Sequence, residues 1–305
     1  MESLRAVIDV GTNSIKFHVA RKGQDGALET VSDKNDIARL GEGLRETGRI
    51  GDEPLERNAA AVAGFVEESR SLGVQSPEIV GTMALRTASN AADFIARVKE
   101  LTGLTLRVIE GGEEARLSYL AVLSGLPVGD DKLVVFDTGG GSTEFIFGEG
   151  GEIRKKFSLP IGAVRITEEF FKEDPVRDGS VEEGLARIGK DLAEGGALDS
   201  DCVLVGLGGT VTSLASVKLR MEAYDPDLVQ GSILSLDDVN EMIEMFASKT
   251  LEERRAVVGL QPKRADVILA GACIVRALLE AFHVDSFTVS DRGLRHGLAY
   301  ELFSR

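Results

Sequence analysis

No apolar run in this 305-residue sequence comes near the roughly 20 residues needed to cross a bilayer. Asp9 and Lys16 interrupt the first apolar stretch, which reads as a pair of strands and not as a secretion signal. Cysteine is scarce too. Cys202 and Cys273 sit in apolar segments and nothing requires them to pair, which points to a reducing, cytoplasmic compartment. Lys and Arg number 35 against 50 Asp and Glu, and the net charge of −15 argues against general binding to DNA or RNA. A local anion site remains open to such a chain if backbone N–H groups, a bound metal or a few arginines supply positive potential. The three histidines, His18, His283 and His296, lack metal-ligand spacing and read as structural. The Walker A and dinucleotide-binding glycine patterns are missing. With 43% hydrophobic and 28% charged residues, the chain is expected to form two ordinary soluble domains.

Against these absences stand two glycine turns in matching register, 128 positions apart. The first is Val7-Ile8-Asp9-Val10-Gly11-Thr12-Asn13-Ser14-Ile15-Lys16-Phe17, the second Val135-Phe136-Asp137-Thr138-Gly139-Gly140-Gly141-Ser142-Thr143-Glu144-Phe145. Val, Asp, Gly, Ser and Phe coincide. Each reads as strand, tight turn, strand. Glycine lets successive N–H groups converge on an anion, Ser and Thr add hydroxyl donors, and an Asp ending a strand suits a hydrated Mg²⁺. One glycine-rich hairpin would be ordinary; two in register favour paired lobes serving one anionic ligand.

Residues 4–10 and 15–21 read as strands, with a third near Leu28–Val31 and a loop over Asp33–Gly51. A helix starts at Asp52 as its cap and ends at Gly73; another runs from Asn90, a cap, to Gly103. Glu78–Gly81 and Leu104–Ile109 read as strands, Glu113–Leu123 as a helix and Gly125–Lys132 as a hinge. The pattern then restarts with strands at Leu133–Phe136, Thr143–Gly148, Ile153–Leu159 and Val203–Gly206. Helices are expected near 165–173, 180–194, over Ser235–Lys249 and about 263–282, with a last strand Ser286–Val289 and a terminal helix. Alternating strand and helix indicates an α/β fold.

Three further motifs carry chemistry. Gly208-Gly209-Thr210 follows a strand and opens a helix, whose N-terminus attracts anions, although packing glycines are as good a reading. Glu113 and Glu114 open a helix, where acids are favoured by the macrodipole alone; either also suits a general base for water, and position does not choose between them. Arg86, just after a strand, is placed to grip a phosphate or simply to lie on the surface.

Together these motifs, with Leu159-Pro160-Ile161-Gly162-Ala163-Val164-Arg165, Arg264-Ala265-Asp266 and Ser290-Asp291 ahead of Gly293-Leu294-Arg295, run in order from end to end and resemble the Ppx/GppA family of exopolyphosphatases and guanosine pentaphosphate phosphohydrolases. The resemblance implies two ribonuclease-H-like lobes of the acetate and sugar kinase, heat-shock ATPase and actin superfamily, with the site in the interdomain cleft. The lobes would span 1–125 and 126–305, the terminal helix at about 293–303 packing back on the first. It implies Glu114 as the base. The phosphate-binding residues are then Gly11, Thr12, Asn13, Ser14, Arg86, Gly139, Gly140, Gly141, Ser142, Thr143, Gly208, Gly209 and Thr210. Asp137, Glu144 and Asp9 would bind Mg²⁺ or another divalent cation, with the second turn as the metal side. Lys34, Arg39, Arg165, Lys263 and Arg264 are candidate channel contacts. Longer relatives carry a C-terminal helical domain that this sequence does not show, and relatives are often homodimers.

The expected activity is therefore release of terminal phosphate from inorganic polyphosphate, with guanosine pentaphosphate as the alternative substrate. An ATP-dependent kinase of the superfamily lacks an acceptor signature here. A non-catalytic alarmone sensor fits the full set of acids poorly.

Overall fold

The computed structural model describes residues 4–23, 28–128, 131–194 and 202–304. The chain divides into two compact units, Met1–Ser124 with Leu294–Arg305, and Gly125–Gly293. Of the expected hinge Gly125–Lys132, residues Gly129 and Asp130 lie outside the described residues.

In the first unit, β1 (Leu4–Val10), β2 (Ile15–Lys22), β3 (Leu28–Asp36), β4 (Glu78–Gly81) and β5 (Arg107–Val108) form a sheet in the order β3-β2-β1-β4-β5. The first three strands are an antiparallel meander; β4 and β5 add in parallel. Side chains alternate across the sheet, so Ala6, Ile8, Val10, Ile15, Phe17 and Val19 enter one core. That core is covered by helices α2 (Asp52–Ser71) and α4 (Ala91–Thr102), which follow the single turn α1 (Leu44–Thr47) and flank α3 (Met83–Thr87). Phe17 stacks on Phe65 of α2 with ring centroids 5.1 Å apart. The opposite parity, Val7 and Asp9 on β1 and Lys16 and His18 on β2, faces the other way. There Val7, Val80, Ile109 and Leu117 pack against Leu294, Leu298 and Ala299.

The second unit repeats the plan. Strands β6 (Leu133–Thr138), β7 (Thr143–Glu149) and β8 (Glu152–Leu159) make the meander, and β9 (Val203–Leu207) pairs in parallel with β6. β10 (Ile233–Ser235) and β11 (Ser286–Ser290) complete the order β10-β11-β9-β6-β7-β8. Reading β8-β7-β6-β9-β11 beside β3-β2-β1-β4-β5 shows that the duplication seen in the turns extends through both sheets. Helices α6 (Ala163–Phe170), α7 (Ser180–Glu194), α8 (Gly209–Lys218), α10 (Leu236–Ala247) and α12 (Ile268–Phe282) bury their apolar faces in one core around Phe136, Phe145 and Phe282; α9 (Pro226–Val229) and α11 (Leu251–Arg255) are short. Ser235 caps α10 through a full capping box with Asp238. The terminal helix α13 (Leu294–Ser304) belongs to the first unit. No helix among the described residues is long and apolar enough to cross a membrane.

Several expectations need correction. Asp52 is the first residue of α2, and Gly51 is the cap residue. Asn90 makes no side-chain cap; its buried amide instead accepts from Ile50 N at 2.8 Å and donates to Ile50 O at 3.0 Å, tying two segments of chain together. β3 runs on to Asp36, through residues expected in a loop, and the strand expected over Leu104–Ile109 shrinks to Arg107–Val108. The helix expected over about 263–282 begins only at Ile268, after a short 3₁₀ turn at Pro262–Arg264.

α5 (Gly111–Gly125) and α13 approach so closely that a Cβ on Gly297 would overlap the carbonyl oxygen of Leu117. Backbone cannot yield as a flexible side chain can. Gly297→Ala is therefore expected to destabilise the first unit by about 1–3 kcal/mol, read as a lowered melting temperature.

Candidate functional site

The two glycine turns close in the same way. Gly11 N donates to Ser14 O at 3.0 Å, and Gly139 N donates to Ser142 O at 2.9 Å. Strand register sets Asp9 opposite Lys16, and Asp137 opposite Glu144.

In the first unit the turn is braced from outside, Thr12 O and Asn13 O accepting from Gly41 N and Arg39 N. Parallel pairing of β1 with β4 sets Val10 beside Gly81, and Thr82 N donates to Val10 O. This carries α3, and with it Arg86, to the turn. Arg86 Nη1 donates to Glu114 Oε2 and to Ile109 O, both at 2.8 Å. Glu113 is differently engaged: Arg107 Nη1 reaches both its oxygens, at 2.8 and 2.9 Å, on the surface. Of the two adjacent acids, then, Glu114 is the one beside Arg86 and within electrostatic reach of Asp9.

Asp9 is buried and its Oδ1 has no hydrogen-bond partner. Burial pushes its carboxyl above the ordinary range; Lys16 opposes this, Glu114 adds to it, and Arg295 opposes it. A buried carboxylate oxygen with no donor is what a divalent cation would satisfy. Asp9 and its surroundings therefore fit the implied metal, and the unsatisfied oxygen belongs to the first turn, whereas the sequence reading favoured the second.

In the second unit, Gly139 O accepts from Ala163 N, and Gly140 O accepts from Val164 N, both at 2.9 Å. Thr143 Oγ1 donates to Ile161 O at 2.7 Å. The segment Leu159–Arg165 is thus the floor of the glycine turn, a role that no local pattern discloses. Gly208 has φ +87°, and a Cβ there would strike Asp137 Oδ1; both facts require glycine. A Cβ on Gly209 would strike the Arg264 guanidinium, and Thr210 Oγ1 donates to Thr138 O at 3.0 Å. The start of α8, the end of β6 and Arg264 therefore form one constellation. Burial pulls the Arg264 guanidinium below its usual range, against the pull of Asp137, Tyr224 and Asp266. Glu144 Oε1 accepts from Ser142 Oγ at 2.6 Å and Ser158 Oγ at 2.8 Å, so its carboxylate is oriented from the turn itself.

The other candidate channel contacts fare unevenly. Lys34 is paired with Glu68 at 2.8 Å, Arg165 donates to the Pro160 carbonyl, and Lys263 is exposed in the 3₁₀ turn. Arg39 adopts φ +51° beside the first turn. His283 is a left-handed C-cap of α12, consistent with a structural role. His18 and His296, however, come together despite their distance in sequence.

The model of the Ppx/GppA phosphatase family matches residues 18–305. Exopolyphosphatase 2 of Mycobacterium tuberculosis is 34% identical over 97% of this chain and 98% of its own length. Guanosine-5'-triphosphate,3'-diphosphate pyrophosphatase of Photobacterium profundum is 31% identical over 99% of this chain, which spans 60% of that protein. The chain spans 45% of the bifunctional 3-dehydroquinate synthase/phosphatase of Fusobacterium nucleatum, at 32% identity. Among solved structures, the Ppx/GppA family member of Aquifex aeolicus superposes with TM-score 0.88 at 35% identity, covering 100% of this chain and 99% of that one.

Proposed function

Since the chain belongs to the Ppx/GppA phosphatase family, we propose that it hydrolyses a terminal phosphoanhydride, releasing phosphate from inorganic polyphosphate with Glu114 as the base that activates water. The observation that carries this reading is the pairing of Glu114 with Arg86 at 2.8 Å, next to a buried Asp9 with an unsatisfied oxygen. The names of the relatives support phosphoanhydride hydrolysis as the class of reaction.

In this reading Glu114 takes a proton from the attacking water. Arg86 fixes the orientation of Glu114 through Nη1 and leaves Nε and Nη2 for a phosphate oxygen. In the first unit the amides of Gly11–Ser14, and in the second those of Gly139–Thr143 with the start of α8, are the donors for phosphate oxygens, and Arg264 adds positive charge beside Gly209. Positioning and charge stabilisation carry most of the burden in phosphoryl transfer. Asp9 in the first unit, and Asp137 and Glu144 in the second, are the carboxylates that would hold Mg²⁺ or another divalent cation, which would supply neutralisation of the phosphate oxygens. Placing this potential locally reconciles an anionic substrate with a net charge of −15.

Guanosine pentaphosphate is the second reading, favoured by the name of the Photobacterium relative. It ends in the same bond, so the same residues serve it. The test is phosphate release from short polyphosphate, long polyphosphate and guanosine pentaphosphate, with Mg²⁺ or with EDTA. We expect Mg²⁺-dependent release and a higher kcat/KM on polyphosphate. A higher value on guanosine pentaphosphate reverses the order of the two readings, and release from none of them rejects both.

A further inference from the structure

One buried cluster of the first unit takes no part in this chemistry. His18 lies on β2, Asp33 on β3 and His296 on α13, where the fold assembles two imidazoles and a carboxylate from distant parts of the chain. Their side chains are 3%, 16% and 9% exposed. His296 Nε2 is 2.8 Å from Asp33 Oδ2, and His18 Nδ1 is 3.5 Å from the same oxygen. One ligand atom from each of the three lies within 4.8 Å of the others. Arg295 holds the carboxylate from its far side, Nε to Oδ1 at 2.8 Å and Nη2 to Oδ2 at 3.0 Å.

Hydrogen bonding accounts for most of this arrangement but not for His18. Its Nδ1 is buried, points at Asp33 and makes no hydrogen bond. A side chain serving only to pack would not carry a polar atom into this position. We propose that His18 Nδ1, Asp33 Oδ2 and His296 Nε2 bind a divalent transition-metal ion of the Zn²⁺ class, separate from the metal assigned to the glycine turns.

The chemistry agrees, and so does the spacing of each imidazole nitrogen from Asp33 Oδ2. Zinc takes imidazole and carboxylate ligands at about 2.0–2.2 Å in a tetrahedron, which sets ligand atoms roughly 3.4 Å apart. His18 and Asp33 already stand at 3.5 Å, and His296 needs to withdraw by only about half an ångström from its present hydrogen bond. Two imidazoles select such an ion over Mg²⁺ and Ca²⁺, which prefer oxygen. Arg295 braces the ligand carboxylate, its Nε holding Oδ1 and its Nη2 sharing Oδ2 with the ion. The bound ion would staple β2, β3 and α13 together, a structural role that does not depend on the phosphohydrolase reading.

The test is titration of the full-length chain with Co²⁺ in excess Mg²⁺, read by its visible absorption, followed by displacement with Zn²⁺. We expect one equivalent of Co²⁺ to bind, with bands typical of tetrahedral coordination, and Zn²⁺ to raise the melting temperature. His18→Leu, which keeps an apolar filling beneath α13, and His296→Gln should each weaken binding by more than the roughly 10–100-fold that loss of an outer partner costs. His18→Leu should also abolish the Zn²⁺-dependent shift in melting. Asp9→Asn should retain the bands. Absence of stoichiometric binding overturns the proposal, as do bands that survive in a folded His18→Leu variant or vanish in a folded Asp9→Asn variant.

Discussion

Glu114→Gln is expected to lower kcat for phosphate release by about 10²–10⁴-fold and to leave KM nearly unchanged. Glutamine is close to isosteric and keeps a carbonyl oxygen for Arg86 Nη1, so the 2.8 Å contact and the start of α5 survive. What is lost is the capacity to accept a proton. A loss in kcat without a loss in binding is the signature of an interaction made in the transition state. Glu113→Gln is the control. Its carboxylate is held by Arg107 at the surface, an exposed pair worth little, and the variant should turn over like the parent. Equal losses in both variants would reject the distinction between the two acids.

Gly162→Ala should reduce kcat/KM by about 10²-fold, since misplacing reacting groups by roughly 1 Å costs that much. Its Cβ would overlap the carbonyl of Gly140 and the carbonyl carbon of Gly141, both backbone, so the turn itself must shift. Three contacts transmit that shift: Ala163 N to Gly139 O, Val164 N to Gly140 O, and Thr143 Oγ1 to Ile161 O. Overpacking adds a stability loss of about 1–3 kcal/mol. Gly189→Ala on the exposed face of α7 meets nothing within 4 Å and should leave kinetics unchanged while adding up to about 1 kcal/mol of helix stability. Phosphate-release kinetics and thermal melting of the pair check both expectations. An unaltered kcat/KM in Gly162→Ala would remove the floor beneath the second turn from the account.

The parts of the fold legible in the sequence are those with a local cause. The matched turns disclosed the duplication because their glycines, aspartates and serines serve the turn in which they sit. Ser235 announced α10 because its capping partner, Asp238, is three residues away. The missed parts depend on contacts across the chain. Asn90 has the composition of a cap, but a better pair of partners in Ile50 takes its amide. β3 carries polar residues along most of its length because it is an edge strand largely open to solvent, so no alternation marks it. At the candidate site the sequence could not separate Glu113 from Glu114 by position. In the folded chain their surroundings differ, Arg107 pairing with Glu113 and Arg86 with Glu114. Gly162 and Arg264 act through Gly140 and Gly209, residues 22 and 55 positions away, and only the folded backbone reveals why those residue types stand there.

The most direct test of the central claim is to run the reaction on polyphosphate in ¹⁸O-labelled water and weigh the released phosphate. The account predicts one ¹⁸O atom in each phosphate from the parent chain, at a rate that falls by about 10²–10⁴-fold in Glu114→Gln. Phosphate carrying no label, or phosphoryl groups passed to an added acceptor in place of water, would contradict hydrolysis by a Glu114-activated water.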